Sequence, residues 1–153
     1  MELGNNILKR KLVIPTDKPD GQPMQDSLCE SVAGCVSELM SARTSFHKLH
    51  LKVTGPGSFA AHSALNELYD ALPGHADALA EGYQGAREKI LMFGEENAPR
   101  VLNNVEDGLS YLRELTTMVN DLQGMMPYSE IVNDLDTIKS TINSIKYKLL
   151  FLQ

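Results

Sequence analysis

Apolar residues recur along most of this chain at alternating intervals of four and three. The first run, Leu28, Val32, Cys35, Leu39, Ala42, Phe46, Leu49 and Val53, keeps that rule without a break. It predicts a helix from about residue 25 to 52, buried along one side. Ser27 and Glu30 have capping-box spacing at its start. Thr54-Gly55-Pro56-Gly57 reads as a turn. A second helix begins at Ser58, with Leu65, Leu68, Leu72, Leu79, Tyr83, Ala86 and Ile90 as its stripe. Pro73-Gly74 interrupts that stripe, and a proline inside a helix predicts a kink or bulge. The helix either stops near Gly85 or continues to Phe93, and residues 93–100 read as a linker. A third helix is expected from Val101 to Gln123, on Val101, Val105, Leu109, Leu112, Leu115, Val119 and Leu122, with Gly124 as its C-cap. A fourth runs from Ser129 to Leu152. Its Ile131, Leu135, Ile138, Ile142, Ile145, Leu149 and Leu152 form the most regular pattern in the chain. Its β-branched content favours a strand, but a period near 3.5 residues sustained over about three heptads decides for helix. No strand candidate is left, so the pattern alone predicts an all-α four-helix bundle.

Length and composition add bounds. One bundle domain over residues 24–153 is large enough for a proper core. Residues 1–23, with Pro15, Pro19, Pro23 and Gly21, read as an extended N-terminal tail. The tail carries a small basic cluster, Lys9, Arg10 and Lys11, and an apolar run, Leu12, Val13 and Ile14, suited to packing against a neighbouring subunit. A net charge of -6 argues against a chain built mainly to coat nucleic acid. It suits attraction of cations instead. Cys29 and Cys35, six residues apart on one helix, lie about 9 Å apart along its axis. That is too far for a disulfide, so both are expected to be free thiols in a cytoplasmic protein. No apolar stretch is long enough for a membrane span, and no signal-peptide core is expected.

The candidate chemistry lies between His47 and Tyr83, which hold all 4 histidines, His47, His50, His62 and His75. His62 and Asn66 are i,i+4 neighbours on the second helix, as are Asp77 and Glu81. Fifteen residues part His62 from Asp77, about 22 Å of helix. One metal therefore cannot reach both from one chain. Two antiparallel copies related by a two-fold axis would bring His62 of one to Asp77 and Glu81 of the other. His50, just before the turn, can join from the first helix. Mixed imidazole and carboxylate ligands suit iron, zinc or manganese better than calcium. Read residue by residue, His47 and His75 fit ordinary polar neighbours, and Asp77 and Glu81 fit a solvated helix face. Glu38, one step from Leu39, also reads as solvated.

The run His50, Leu51, Val53, Gly55, Ala60 and His62, followed by Asp77, Ala80 and Glu81, resembles the Dps family of mini-ferritins, which protect DNA in starved bacteria. By position, His50 and His62 match the family's two histidines, and Asp77 and Glu81 match its carboxylate pair. Asn66 stands where the family has Asp, and Leu51 where it has Trp. The resemblance implies a ferritin-like connectivity and a homo-oligomer, a dodecamer built from two-fold dimers. It implies Fe(II) bound between subunits by His50, His62, Asn66, Asp77 and Glu81, ferroxidase chemistry with peroxide or oxygen, and ferric iron stored in a hollow shell. Basic tails bind DNA in that family, which gives Lys9 to Lys11 a second reading. Asp134-Leu135-Asp136 is similar to a run in the family's last helix. Nothing in the third or fourth helix resembles a second Glu-x-x-His, which disfavours a di-iron centre within one chain. The alternative is a non-catalytic bundle of the same kind, acting as a structural shell or a partner- or DNA-binding protein.

Overall fold

A computed structural model describes residues 27–95 and 97–152. Four helices account for most of them: α1 (Ser27–His50), α2 (Ser58–Arg87), α3 (Val105–Met125) and α4 (Ser129–Phe151). No strand occurs among the described residues. The expected tail, its basic cluster and its apolar run lie outside them.

The heptad stripes become the core. Val32, Cys35, Leu39, Ala42, Phe46 and Leu49 of α1 are buried, as are Leu109, Leu112, Leu115, Val119 and Leu122 of α3. From α4, Ile131, Leu135, Ile138, Ile142, Ile145 and Leu149 join them. In α2 the stripe passes through the expected gap, because Ala76 is fully buried beside Leu72 and Leu79. Each large side chain so buried contributes roughly 1.5–3 kcal/mol against exposure.

The packed neighbours form a ring, α1–α2–α4–α3. Every neighbouring pair is antiparallel. Cys29 meets Tyr83 at one end of the α1–α2 pair, and His50 meets His62 at the other. Lys148 of α4 pairs with Glu67 of α2, while a Cβ on Gly82 would lie 2.9 Å from Ile131. Gln123 near the end of α3 bonds Asp136 near the start of α4. Gly108 lets the start of α3 close on the end of α1, since a Cβ there would come within 2.9 Å of Leu49. α2 and α3 are therefore parallel and diagonal, and residues 88–104 cross the bundle to join them. One long crossover is the connectivity of ferritin-like bundles.

Several boundaries differ from expectation. Of the two ends expected for α2, the nearer holds: the helix stops at Arg87, two residues past Gly85, and does not reach Phe93. Glu88 adopts the left-handed conformation (φ 52°) as its cap. The α-helix passes through Pro73 without a bulge. Pro73 is exposed, so the carbonyl it leaves unbonded, that of Tyr69, is on the solvent side of the helix. α3 starts four residues later than the stripe suggested, because Asn104 caps it: its Oδ1 accepts from the Asp107 N–H at 2.9 Å. Asp107 reciprocates by accepting from the Asn103 N–H at 2.8 Å. Val101 is left 78% exposed. Gly124 does not end α3, which runs on to Met125.

Candidate metal centre

His50 closes α1 and His62 lies one turn into α2, so the seven-residue turn between the helices sets their separation. Gly55 (φ 85°) and Gly57 (φ 76°) take left-handed conformations in that turn, and Gly57 is the N-cap of α2. The Ser58 N–H donates to the Gly55 carbonyl at 3.1 Å, and the Ala61 N–H to Gly57 at 3.1 Å. The two imidazoles then stack, with ring centroids 3.6 Å apart and planes 25° apart.

Their hydrogen bonds are reciprocal. His50 Nδ1 lies 2.9 Å from the His62 carbonyl, and His62 Nδ1 lies 3.1 Å from the His50 carbonyl. A carbonyl oxygen only accepts, so both Nδ1 atoms carry the proton. In the neutral rings the lone pair is then on Nε2 in each case. Backbone carbonyls commonly orient metal-ligating histidines in this way. His50 is buried and His62 exposed, so the pair reaches from the core boundary to the surface.

Two more rings extend the stack. His47, one turn before His50, lies flat on Tyr69 at 4.1 Å, and Tyr69 sets its edge to His50 at 5.2 Å. The Tyr69 hydroxyl donates to Asn66 Oδ1 at 2.6 Å, and Asn66 Nδ2 donates to Asp70 at 2.9 Å. His47 is thus more than a polar neighbour, and the amide oxygen of Asn66 is already held by Tyr69. Spacing did not single out Tyr69 or Asp70, although both lie within a turn of Asn66.

Asp77 and Glu81 are exposed on α2, toward its far end. The chain does not bring them to His50 and His62. No group of three or more His, Cys, Asp and Glu side chains gathers closely enough to hold a metal among the described residues. His75 sits apart, half-buried, with Nε2 2.9 Å from Thr141 Oγ1 on α4. Burial pushes its pKa down, and the nearby Asp134 carboxylate opposes that shift.

A second polar cluster, on the α1–α3 side, was not legible in advance. Glu38 accepts from the Tyr111 hydroxyl at 2.7 Å, from Asn97 at 2.8 Å and from Arg100 at 3.1 Å. Arg100 also pairs with Glu114 at 2.5 Å, and its guanidinium lies 3.9 Å from the centroid of the Tyr111 ring. Burial, then the bond to Glu38, raises the Tyr111 pKa. Burial also pushes the Cys35 thiol up to about 12, with Glu38 adding to the effect. These partners lie 59 to 73 residues apart from Glu38 in sequence, so no local pattern could signal them.

Residues 50–149 match a family described as a family of unknown function, DUF5856, and the chain belongs to it. The match begins at His50 and spans α2, the crossover, α3 and nearly all of α4. No curated protein and no solved structure matches the chain. No described helix is long and apolar enough to cross a membrane.

Proposed function

We propose that this protein is a Dps-like mini-ferritin, which takes Fe(II) at a site shared by two subunits, oxidises it with peroxide or oxygen and stores the ferric product in a hollow homo-oligomer. The observation that carries the reading is the His50–His62 pair. Both rings are held by backbone carbonyls with Nε2 as the basic atom, as metal-binding histidines commonly are, and one ring must turn out of the stack for the two lone pairs to converge on one ion. Two imidazoles do not complete an iron site. Asp77 and Glu81 supply the carboxylates in this reading, and their distance along α2 assigns them to a second copy. Leu51 and Phe59, 72% and 86% exposed, flank the histidines and offer apolar surface for that copy. The protein supplies position and charge, while the electron transfer is the chemistry of iron. Zinc or manganese would compete for the same ligands.

Asn66 is the weak member of the ligand set, since its Oδ1 is neutral where a carboxylate would carry charge, and one of its two lone pairs already accepts from Tyr69. That bond favours a second reading, a non-catalytic bundle with the same assembly. One experiment separates them. Protein mixed with Fe(II) and limiting peroxide is followed by ferric absorbance beside His62→Ala and Glu81→Ala variants. The ferroxidase reading requires wild type to be faster than both by about tenfold or more. Equal rates in all three leave only the structural reading.

A further inference from the structure

Residues 97–101 are held to the bundle in an unusual way. All five are exposed, although Leu91 and Leu102, before and after them in the crossover, are buried. Their fastenings are polar. Asn97 donates to Glu38 at 2.8 Å. The Arg100 backbone N–H donates to Ser45 Oγ at 2.8 Å. The Arg100 guanidinium bridges Glu38 on α1 and Glu114 on α3 while lying over the Tyr111 ring. The surface beneath is polar too: Glu38, the Tyr111 hydroxyl, and the Ser45 and Ser41 hydroxyls. Ser41 Oγ is buried there beside the Tyr111 side chain, with no well-formed hydrogen bond among the described residues.

We propose that residues 97–101 form a releasable strap, with Arg100 as its clasp, that opens while the four helices stay folded. Two features of the molecule set this behaviour. Lifting the strap uncovers hydroxyls, a carboxylate and one face of the Tyr111 ring, so water replaces most of what is lost. The ion pairs of the clasp are partly exposed, and such pairs are weak and screened by salt. Opening admits water and small polar solutes to Glu38, Tyr111 and the Ser41 hydroxyl. The strap is a conformational element on the α1–α3 side, away from the histidines, and does not depend on the iron reading.

Hydrogen exchange of the full-length protein, read on peptides covering residues 97–101, tests the strap. The Arg100 amide, bonded to Ser45, is the reporter. Arg100→Gln removes both ion pairs and most of the ring contact, and should speed exchange there by about tenfold. Ser45→Ala should speed the same amide with the guanidinium intact, and 1 M salt should move wild type toward Arg100→Gln. Peptides from α1 to α4 should keep their protection in every case. Unchanged exchange at 97–101 in both variants overturns the proposal. So does faster exchange that spreads through α1 and α3, because the segment then opens only with the bundle.

Discussion

Gly57 shows how one backbone torsion controls the candidate site. Its φ of 76° turns the chain from α1 into α2 and sets the separation of His50 and His62. A residue with a Cβ meets its own carbonyl in that conformation, at a cost of about 1–2 kcal/mol. Gly57→Ala should therefore lower unfolding stability by about that amount in denaturant titration. Gly34→Ala is the control, since a Cβ there meets nothing within 4 Å and its φ lies outside the left-handed range. The cysteines give a second prediction at this scale. Cys35 is buried with its thiol pushed up to about 12, whereas Cys29 is half-buried near the Tyr83 hydroxyl. The thiolate is the reactive form, so below about pH 9 Cys35 stays protonated and shielded. Iodoacetamide at pH 8 should modify the native protein at Cys29 at most, and both thiols after unfolding. Intact mass counts the adducts, and rapid labelling of Cys35 in the native state would contradict the packing described.

Among the elements, legibility followed burial. α4 could be read almost to its ends because its apolar period is unbroken and all six inward positions from Ile131 to Leu149 are buried. Where the chain leaves the core the period carries no information. The stripe of α3 was extended to Val101, which is exposed, because an apolar residue in register looks the same inside or outside a helix. Asn104 is the better marker: its Oδ1 accepts from the Asp107 N–H, and the Asp107 carboxylate accepts from the Asn103 N–H, which together place the start of α3. The histidine pairing was legible through the turn length, whereas the Glu38–Arg100–Tyr111 cluster needed the crossover path and was not. Pro73 does not break α2. Its intrinsic cost inside a helix, about 3 kcal/mol, is outweighed by the burial of Leu68, Leu72, Ala76 and Leu79 around it. If that cost is still carried by the folded state, Pro73→Ala should stabilise the protein by about 1–3 kcal/mol. Thermal unfolding would show a rise of about 2–4 °C per kcal/mol. A fall would mean that the ring of Pro73 contributes to the fold or to an assembly contact.

For the whole molecule, the question is whether one chain or two would make the proposed iron site. The distance along α2 separates the histidines from Asp77 and Glu81, so a shared site has a signature in mixed assemblies. His62→Ala removes an imidazole, and Glu81→Ala removes a carboxylate. Either variant alone has both sites of a two-fold dimer damaged. In a mixed dimer one site collects both lesions, and the other combines an intact His62 with an intact Glu81. Random pairing makes about half of the dimers mixed, so co-refolding equal amounts should restore about a quarter of the wild-type sites. Ferric absorbance per subunit would then rise well above that of either parent, provided native mass shows that the subunits have exchanged. A site contained within one chain predicts no such recovery, since every chain in the mixture still carries one lesion. Recovery would place ligands on two copies of α2 without any structure of the assembly. Its absence in a verified mixed oligomer would rule out the shared site while leaving the bundle, the histidine stack and the strap untouched.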